Sequence, residues 1–200
     1  MRNKKPRTGA PKPKLLRRAE AVKRNILPRR RLVRVLERSR VAPFLGRAVA
    51  ANEPIERGQF LCIYAGRVLH NDTVDHIVRE HSNPFCPTVS YFLLIDNNED
   101  WVVDGNPSQT NTRDAAGSFI NDPRGIKGAR ANCKFYHEWD KEEGTVLMLV
   151  QATRNIKRDE ELWTSYGSHY WVFTGRDPDT PCSCQQRALT GSGETSMESD

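Results

Sequence analysis

The feature that most constrains this chain is a succession of short apolar runs, each ended by a turn, that begins at Leu32. Examples are LVRVLE (32–37), QFLCIYAG (59–66) and YFLLID (91–96). Short apolar or alternating runs between turn signals are typical of β-strands, whereas amphipathic helices need longer runs with a period of about 3.6 residues. We therefore expect a mainly β body made of several short strands and few helices.

The order of the runs also predicts two antiparallel hairpins. YFLLID is separated from WVVDG (101–105) by a polar turn at 97–100. In the same way, NCKFYHEW (132–139) and TVLMLVQAT (145–153) flank a polar turn. Two strand-like runs that are joined by a few turn-forming residues are the usual signature of a hairpin.

One segment of the body has a helical pattern instead. In residues 71–81, Val74, Ile77 and Val78 share one helical face, and a polar residue at the start of the segment can cap its N-terminus. The pattern also allows a short helix over residues 15–25. That helix is basic on most faces, so we expect it to form only on a partner.

The charges are distributed unevenly along the chain. Residues 1–40 contain 16 of the 31 Lys and Arg residues but only two of the 25 Asp and Glu residues, so a basic arm precedes an acidic body. Such an arm can attract nucleic acid, an acidic protein face or an import receptor, or it can simply keep the protein soluble. We predict a basic, largely disordered arm (1–31), one folded domain (32–175) and a mostly disordered C-terminal tail (176–200).

Several function classes lack the residues that they require. No run of about 18 apolar residues is present, so we expect no membrane span or membrane contact. Five cysteines, an odd number, argue against a secreted disulfide framework. The chain has no phosphate-binding glycine loop. Cys182-x-Cys184 supplies only half of a four-ligand zinc site, so we expect no metal.

Three further segments occur in a specific order: GRAVAANEPIERGQFLCIYAGRVL (46–69), VVDGNPSQTNTRDAAGSFINDPRG (102–125) with ANCKF (131–135) after it, and ATRNIKRDEELWTSYG (152–167). Together they resemble the SET-domain protein lysine methyltransferases, and the resemblance covers residues 32–172. It implies several small curved β-sheets with a knot-like crossing of the segments around Asn121 and Tyr166. It also implies S-adenosylmethionine (SAM) as the cofactor.

The resemblance assigns roles to individual residues. Tyr166 matches the catalytic tyrosine of the family. The positions that would hold SAM are Gly46, Arg47, Tyr91, Phe119, Asn121 and Trp171, and those that would line the channel for the substrate lysine are Tyr64, Tyr91 and Tyr166. Aromatic walls suit this reaction, because burial and a nearby sulfonium charge both disfavour the ammonium form of lysine.

The chain also departs from the family pattern. The replacements are Ala48 for the second glycine of Gly-Arg-Gly, Ser118 for an arginine, and Asp122, Pro123 and Arg124 for His, Ser and Cys. An additional loop, 125–130, then precedes Asn132, which matches the second asparagine of that segment. The missing cysteine removes one ligand of the family's zinc site beyond the domain, so we expect a SET domain without that zinc.

These observations lead to three functional hypotheses. The first is a SAM-dependent protein lysine N-methyltransferase that acts on a histone or another basic protein tail, in the nucleus and on chromatin. The second is a non-catalytic SET module that binds chromatin or nucleic acid through the basic arm, and the Asp122-Pro123 departure motivates it. The third is a protein that binds nucleic acid through residues 1–31 alone.

Overall fold

The computed structural model describes residues 14–80, 91–95, 101–106, 116–140 and 144–167. The elements of these ranges, in chain order, are β1 (Lys14–Leu15), α1 (Arg18–Lys23), β2 (Val33–Leu36), β3 (Ala48–Ala51), β4 (Phe60–Ile63), β5 (Arg67–His70), α2 (Asn71–Glu80), β6 (Phe92–Leu94), β7 (Trp101–Asp104), β8 (Cys133–Asp140) and β9 (Thr145–Ala152). Short 3₁₀ turns lie at Pro43–Leu45 and Ala116–Phe119.

The strands form three small sheets. In the largest, β9 pairs with β1 in parallel and with β4 and β8 in antiparallel orientation. β2 pairs with β3, and β7 lies between β5 and β6. The mainly β class, both predicted hairpins (β6–β7 and β8–β9) and the predicted helix α2 are therefore confirmed. Among the described residues, neither helix is long and apolar enough to cross a bilayer.

β9 is the strand around which the core is organised. Successive side chains of a strand point to opposite faces of the sheet. Accordingly, Val146 and Met148 pack in one buried cluster, while Leu147 and Leu149 pack in another on the opposite face. Because both faces are covered, the sequence of β9 is a continuous apolar run rather than an alternation of apolar and polar residues.

The N-terminal segment differs from our expectation. Residues 14–31 lie on the domain instead of forming a largely disordered arm, because their apolar side chains are covered by it. Leu16, Ala21 and Leu27 are at most 3% exposed and belong to the cluster on one face of β9. The helix α1 therefore packs on its own chain and needs no partner to form. Residues 1–13 and the tail 176–200 lie outside the described residues, and the domain bounds remain predictions.

The C-terminal part of the described chain brings two distant segments together. Thr164 N donates a hydrogen bond to Asn121 O (3.0 Å), and Asn132 N donates one to Trp163 O (2.9 Å). Asn121 and Trp163 also form a parallel β-bridge. The segment that ends at Tyr166 therefore runs beside both halves of residues 121–132, which is the arrangement that the predicted crossing requires.

Candidate functional site

The loop before β3 is held in place by one buried carboxylate. Glu161 is 4% exposed and accepts hydrogen bonds from Ser39 Oγ (2.7 Å) and from the backbone N–H groups of Arg40 and Val41. A carboxylate has several acceptor sites, so one side chain accepts hydrogen bonds from all three of these donors. The loop then leads to Gly46, the first of the predicted cofactor-binding residues.

Four of the predicted cofactor-binding residues lie together at the end of this loop. Gly46 has a φ of 75°, in the left-handed region that favours glycine, and a Cβ built there would meet nothing within 4 Å. Asn121 Nδ2 donates a hydrogen bond to Arg47 O (2.9 Å). The Arg47 guanidinium lies 5.3 Å from the centroid of the Phe119 ring, which is a cation–π distance.

Tyr64 and Tyr91 are joined through the backbone. Tyr64 Oη donates to Tyr91 O (2.6 Å), and Gly105 N donates to the same carbonyl (2.9 Å). The Tyr64 ring is buried edge-on against Phe135, and a Cβ on Gly105 would lie only 2.4 Å from it. Burial raises the pKa of the Tyr91 hydroxyl, and the positive charge of Arg47 partly counteracts this. Tyr64 thus fixes the backbone of Tyr91, and its place in a lysine channel stays a prediction.

Tyr166 is held at two points by one short stretch, residues 120–122. Its hydroxyl donates to Ile120 O (2.8 Å), and its backbone N–H donates to Asp122 Oδ2 (2.7 Å). Asn121, between these two residues, donates from its side chain to the loop before β3. A single three-residue stretch therefore connects the predicted catalytic tyrosine with the predicted cofactor loop.

The described residues contain no group of three or more His, Cys, Asp or Glu side chains that could hold a metal ion. Cys62 and Cys133 are free, buried thiols. Burial raises the pKa of Cys62 to about 12 and raises that of Cys133 as well. Both thiols are therefore protonated at neutral pH. The pair Cys182-x-Cys184 lies outside the described residues.

A family model, the SET domain, matches residues 46–167, which is more than half of the chain. The chain belongs to the SET-domain family. The matched range begins at Gly46 and ends directly after Tyr166, so it contains Gly46, Arg47 and the stretch 120–122 that holds Tyr166. No curated protein matches the chain.

The SET domain of this chain shares its fold with solved structures. The Polycomb Repressive Complex 2 of Chaetomium thermophilum aligns with 23% identity and a TM-score of 0.53, over 76% of this chain and 17% of that chain. The same complex in an autoinhibited conformation, bound to S-adenosylmethionine, aligns with 21% identity and a TM-score of 0.54, over 79% of this chain and 17% of that chain. This chain therefore spans less than a fifth of those chains. The predicted SET fold is confirmed.

The polar groups near Gly46 fit the amino-acid end of SAM. A carboxylate needs a cation and N–H donors, and an amine needs oxygen acceptors. Arg47 supplies a cation with N–H donors. Asn121, whose side chain is hydrogen-bonded to Arg47 O, supplies an amide with both a donor nitrogen and an acceptor oxygen. In addition, Ser118 Oγ is buried and has no hydrogen-bond partner among the described residues, although buried hydroxyls are normally paired. Trp171, the remaining predicted cofactor contact, lies outside the described residues.

Two buried carboxylates of the SET domain were not among the predicted site residues. Glu161 belongs to a matched motif, but nothing in the sequence indicated that it binds the loop before Gly46. Asp122 stood out only as a departure from the family pattern. One local signal was available for it, since Asp before Pro is typical of a turn in which the side chain accepts a backbone N–H two residues later. Arg124 N donates to Asp122 Oδ1 in this way (2.7 Å).

Proposed function

We propose that this SET domain is a SAM-dependent protein lysine N-methyltransferase. The observation that carries the proposal is the stretch 120–122, which bonds Tyr166 at one end and the Arg47 loop at the other. The reaction needs a catalytic tyrosine and a cofactor loop in a fixed relation, and this stretch supplies that relation. The match of the family model over both parts supports the same conclusion.

The residues of the chain would act by positioning the substrate amine. When bound, SAM supplies the electrophilic methyl group. The Tyr166 hydroxyl donates a hydrogen bond to Ile120 O, so its oxygen acts toward the lysine amine as an acceptor and orients it. A free lysine has a pKa of about 10.4, and an apolar aromatic surrounding lowers it toward the neutral, nucleophilic form. Aligned geometry of this kind is worth up to about 10 kcal/mol of the barrier.

A basic protein tail, such as a histone tail, is the substrate class that we propose. From residue 41 onwards the chain carries 15 Lys and Arg but 23 Asp and Glu residues, and a negative body attracts a positive peptide. The solved relatives belong to a Polycomb Repressive Complex, which supports a nuclear, chromatin-associated role. The labelling experiment that follows identifies the substrate.

The test is transfer of labelled methyl groups from SAM to core histones and to proteins of a nuclear extract. We expect label on a distinct protein band with the unmodified chain and at least tenfold less label with the Tyr166→Phe variant. Binding of SAM is measured in parallel by calorimetry. A chain that neither binds SAM nor labels any protein would contradict the proposal, whereas binding without transfer would favour the non-catalytic module.

We expect Asn121→Ala to weaken SAM binding at least fivefold. The substitution removes an amide that combines donor and acceptor atoms, and it also releases Arg47 O from its hydrogen bond. Calorimetric titration of SAM measures the effect. The matched control is Asn155→Ala, which truncates an exposed asparagine that accepts a hydrogen bond from Arg57 N. Equal SAM affinities of the Asn121→Ala variant and the unmodified chain would overturn the assignment of Asn121.

Contact with nucleic acid is a second candidate function, and the position of the N-terminal segment favours it. Residues 14–31 contain eight Lys and Arg residues, seven of them exposed, and one glutamate. Because the segment packs on the domain, these charges form a fixed basic surface rather than a loose tail.

The test compares duplex DNA binding by the full chain and by a triple variant, Lys23→Gln, Arg24→Gln and Arg29→Gln. We expect the variant to bind more weakly and with a shallower salt dependence, since each lost phosphate contact reduces the slope. Equal salt slopes would contradict a contact through this surface. Methyl transfer by the same variant shows whether the surface is separate from catalysis.

A further inference from the structure

We infer that Asp122 is the residue that positions Tyr166. Asp122 stands at the position where the family pattern has histidine. The inference rests on the proposed function and deepens it, because it names a second residue on which methyl transfer depends. Asp122 acts through Tyr166 and is therefore a positioning residue.

The evidence begins with the two carboxylate oxygens of Asp122. The residue is 8% exposed. Oδ1 accepts the backbone N–H of Arg124 (2.7 Å), and Oδ2 accepts the backbone N–H of Tyr166 (2.7 Å). One side chain thus closes its own turn and also binds a segment 44 residues away along the chain. Hydrogen bonds of a carboxylate to N–H groups are short and stronger than those between neutral groups.

The second part of the evidence is where these bonds place the phenol of Tyr166. The backbone of Tyr166 is bonded to Asp122, and its hydroxyl is bonded to Ile120 O (2.8 Å). The two acceptors are two residues apart in one stretch, whose register against the C-terminal segment is fixed by the bond from Thr164 N to Asn121 O. A tyrosine held at its backbone and at its hydroxyl has little freedom to move its oxygen, which is the requirement for catalysis by positioning.

The chemistry of the side chain explains why a carboxylate serves here. A neutral imidazole has a single acceptor nitrogen, whereas an ionised carboxylate accepts at both oxygens and donates at neither. In this chain the turn continues into the additional loop 125–130, and the Arg124 N–H needs an acceptor at the same time as the Tyr166 N–H. The replacement of histidine by Asp122 therefore keeps Tyr166 in position. It gives no support to the hypothesis of a non-catalytic SET module.

The test uses two variants of Asp122 and a double-mutant cycle that combines Asp122→Asn with Tyr166→Phe. Asp122→Asn keeps the shape but has only one acceptor oxygen for the two N–H groups. Asp122→Ser can still close the local turn to Arg124, but it is too short to hold Tyr166 as well. We expect both variants to lower kcat at least fivefold, with the KM for a substrate protein and the Kd for SAM unchanged within twofold. The matched control is Asp75→Asn, an exposed aspartate on α2, for which we expect no change in kcat.

The cycle separates positioning from a general loss of structure. In the Tyr166→Phe background the phenol oxygen is already absent, so Asp122→Asn should change kcat less than twofold. An equal loss of kcat in both backgrounds would overturn the inference. Independently of activity, hydrogen exchange of the Tyr166 backbone amide should become faster in both Asp122 variants, and unchanged exchange would also overturn it. A fully inactive unmodified chain would contradict the proposed function instead, and amide exchange would still test the role of Asp122.

Discussion

Replacing Tyr166 by Phe is expected to lower kcat for methyl transfer at least tenfold. The substitution removes the oxygen that would orient the lysine amine, and it leaves the ring in place. A tenfold loss corresponds to about 1.4 kcal/mol of transition-state stabilisation, which is a small effect for a group that would contact the reacting nitrogen. Ile120 O also loses the hydrogen bond from the hydroxyl, so we expect a loss of stability of about 1 kcal/mol.

The measurement compares kcat, the SAM dissociation constant and the midpoint of thermal unfolding for the variant and the unmodified chain. Tyr136→Phe is a control with the same chemical change at another site. The Tyr136 hydroxyl lies on β8 and donates to Glu138 Oε2 (3.0 Å), in an exposed pair. We expect Tyr136→Phe to leave kcat within twofold. A Tyr166→Phe variant with normal turnover would show that Tyr166 has no catalytic role.

The parts of the fold that could be predicted are those fixed by local pattern. The hairpin β8–β9 is an example, because its two runs are adjacent and the turn between them is polar, so pairing needs no information from distant residues. The docking of residues 14–31 shows the opposite case. Leu16 and Leu27 belong to two apolar pairs, Leu15-Leu16 and Ile26-Leu27, in a strongly basic segment. They become part of a core only by packing in one cluster with Leu147 and Leu149 of β9. The high density of basic residues in the segment predicted a disordered arm and gave no indication of these contacts.

In the candidate site, too, some residues could be predicted from the sequence and others could not. Tyr166 and Asn121 could be selected as candidate site residues because they stand in motifs whose order is specific. The role of Asp122 could not be predicted, because it depends on a hydrogen bond to a backbone N–H that lies 44 residues away. In the family pattern, position 122 is a histidine, so the sequence alone indicates only that this histidine is missing. The structure shows instead that the carboxylate of Asp122 satisfies two N–H groups, which is a property of the three-dimensional arrangement alone.

Asn132→Asp is expected to destabilise the fold by about 3–5 kcal/mol, the range for a buried charge without a partner. Asn132 is fully buried, and each side of its amide is used. Nδ2 donates to Glu161 O (2.7 Å) and to Glu160 Oε1 (3.2 Å), while Oδ1 accepts from Trp163 N (2.8 Å). A carboxylate at this position keeps the acceptor, loses the donor and places a negative charge beside two oxygens.

Urea unfolding measures this loss, and its pH dependence identifies the cause. Burial raises the pKa of the new carboxyl in the folded state above its unfolded value of about 3.9, so protonation favours the folded variant. The stability deficit relative to the unmodified chain should therefore shrink as the pH falls from 7 toward 4, because a protonated carboxyl can again donate to Glu161 O. The matched control is Asn155→Asp, since Asn155 is exposed and only its acceptor oxygen binds Arg57 N. We expect that control to change stability by less than about 0.5 kcal/mol. A deficit for Asn132→Asp that stays constant with pH would show that the buried charge is not its cause.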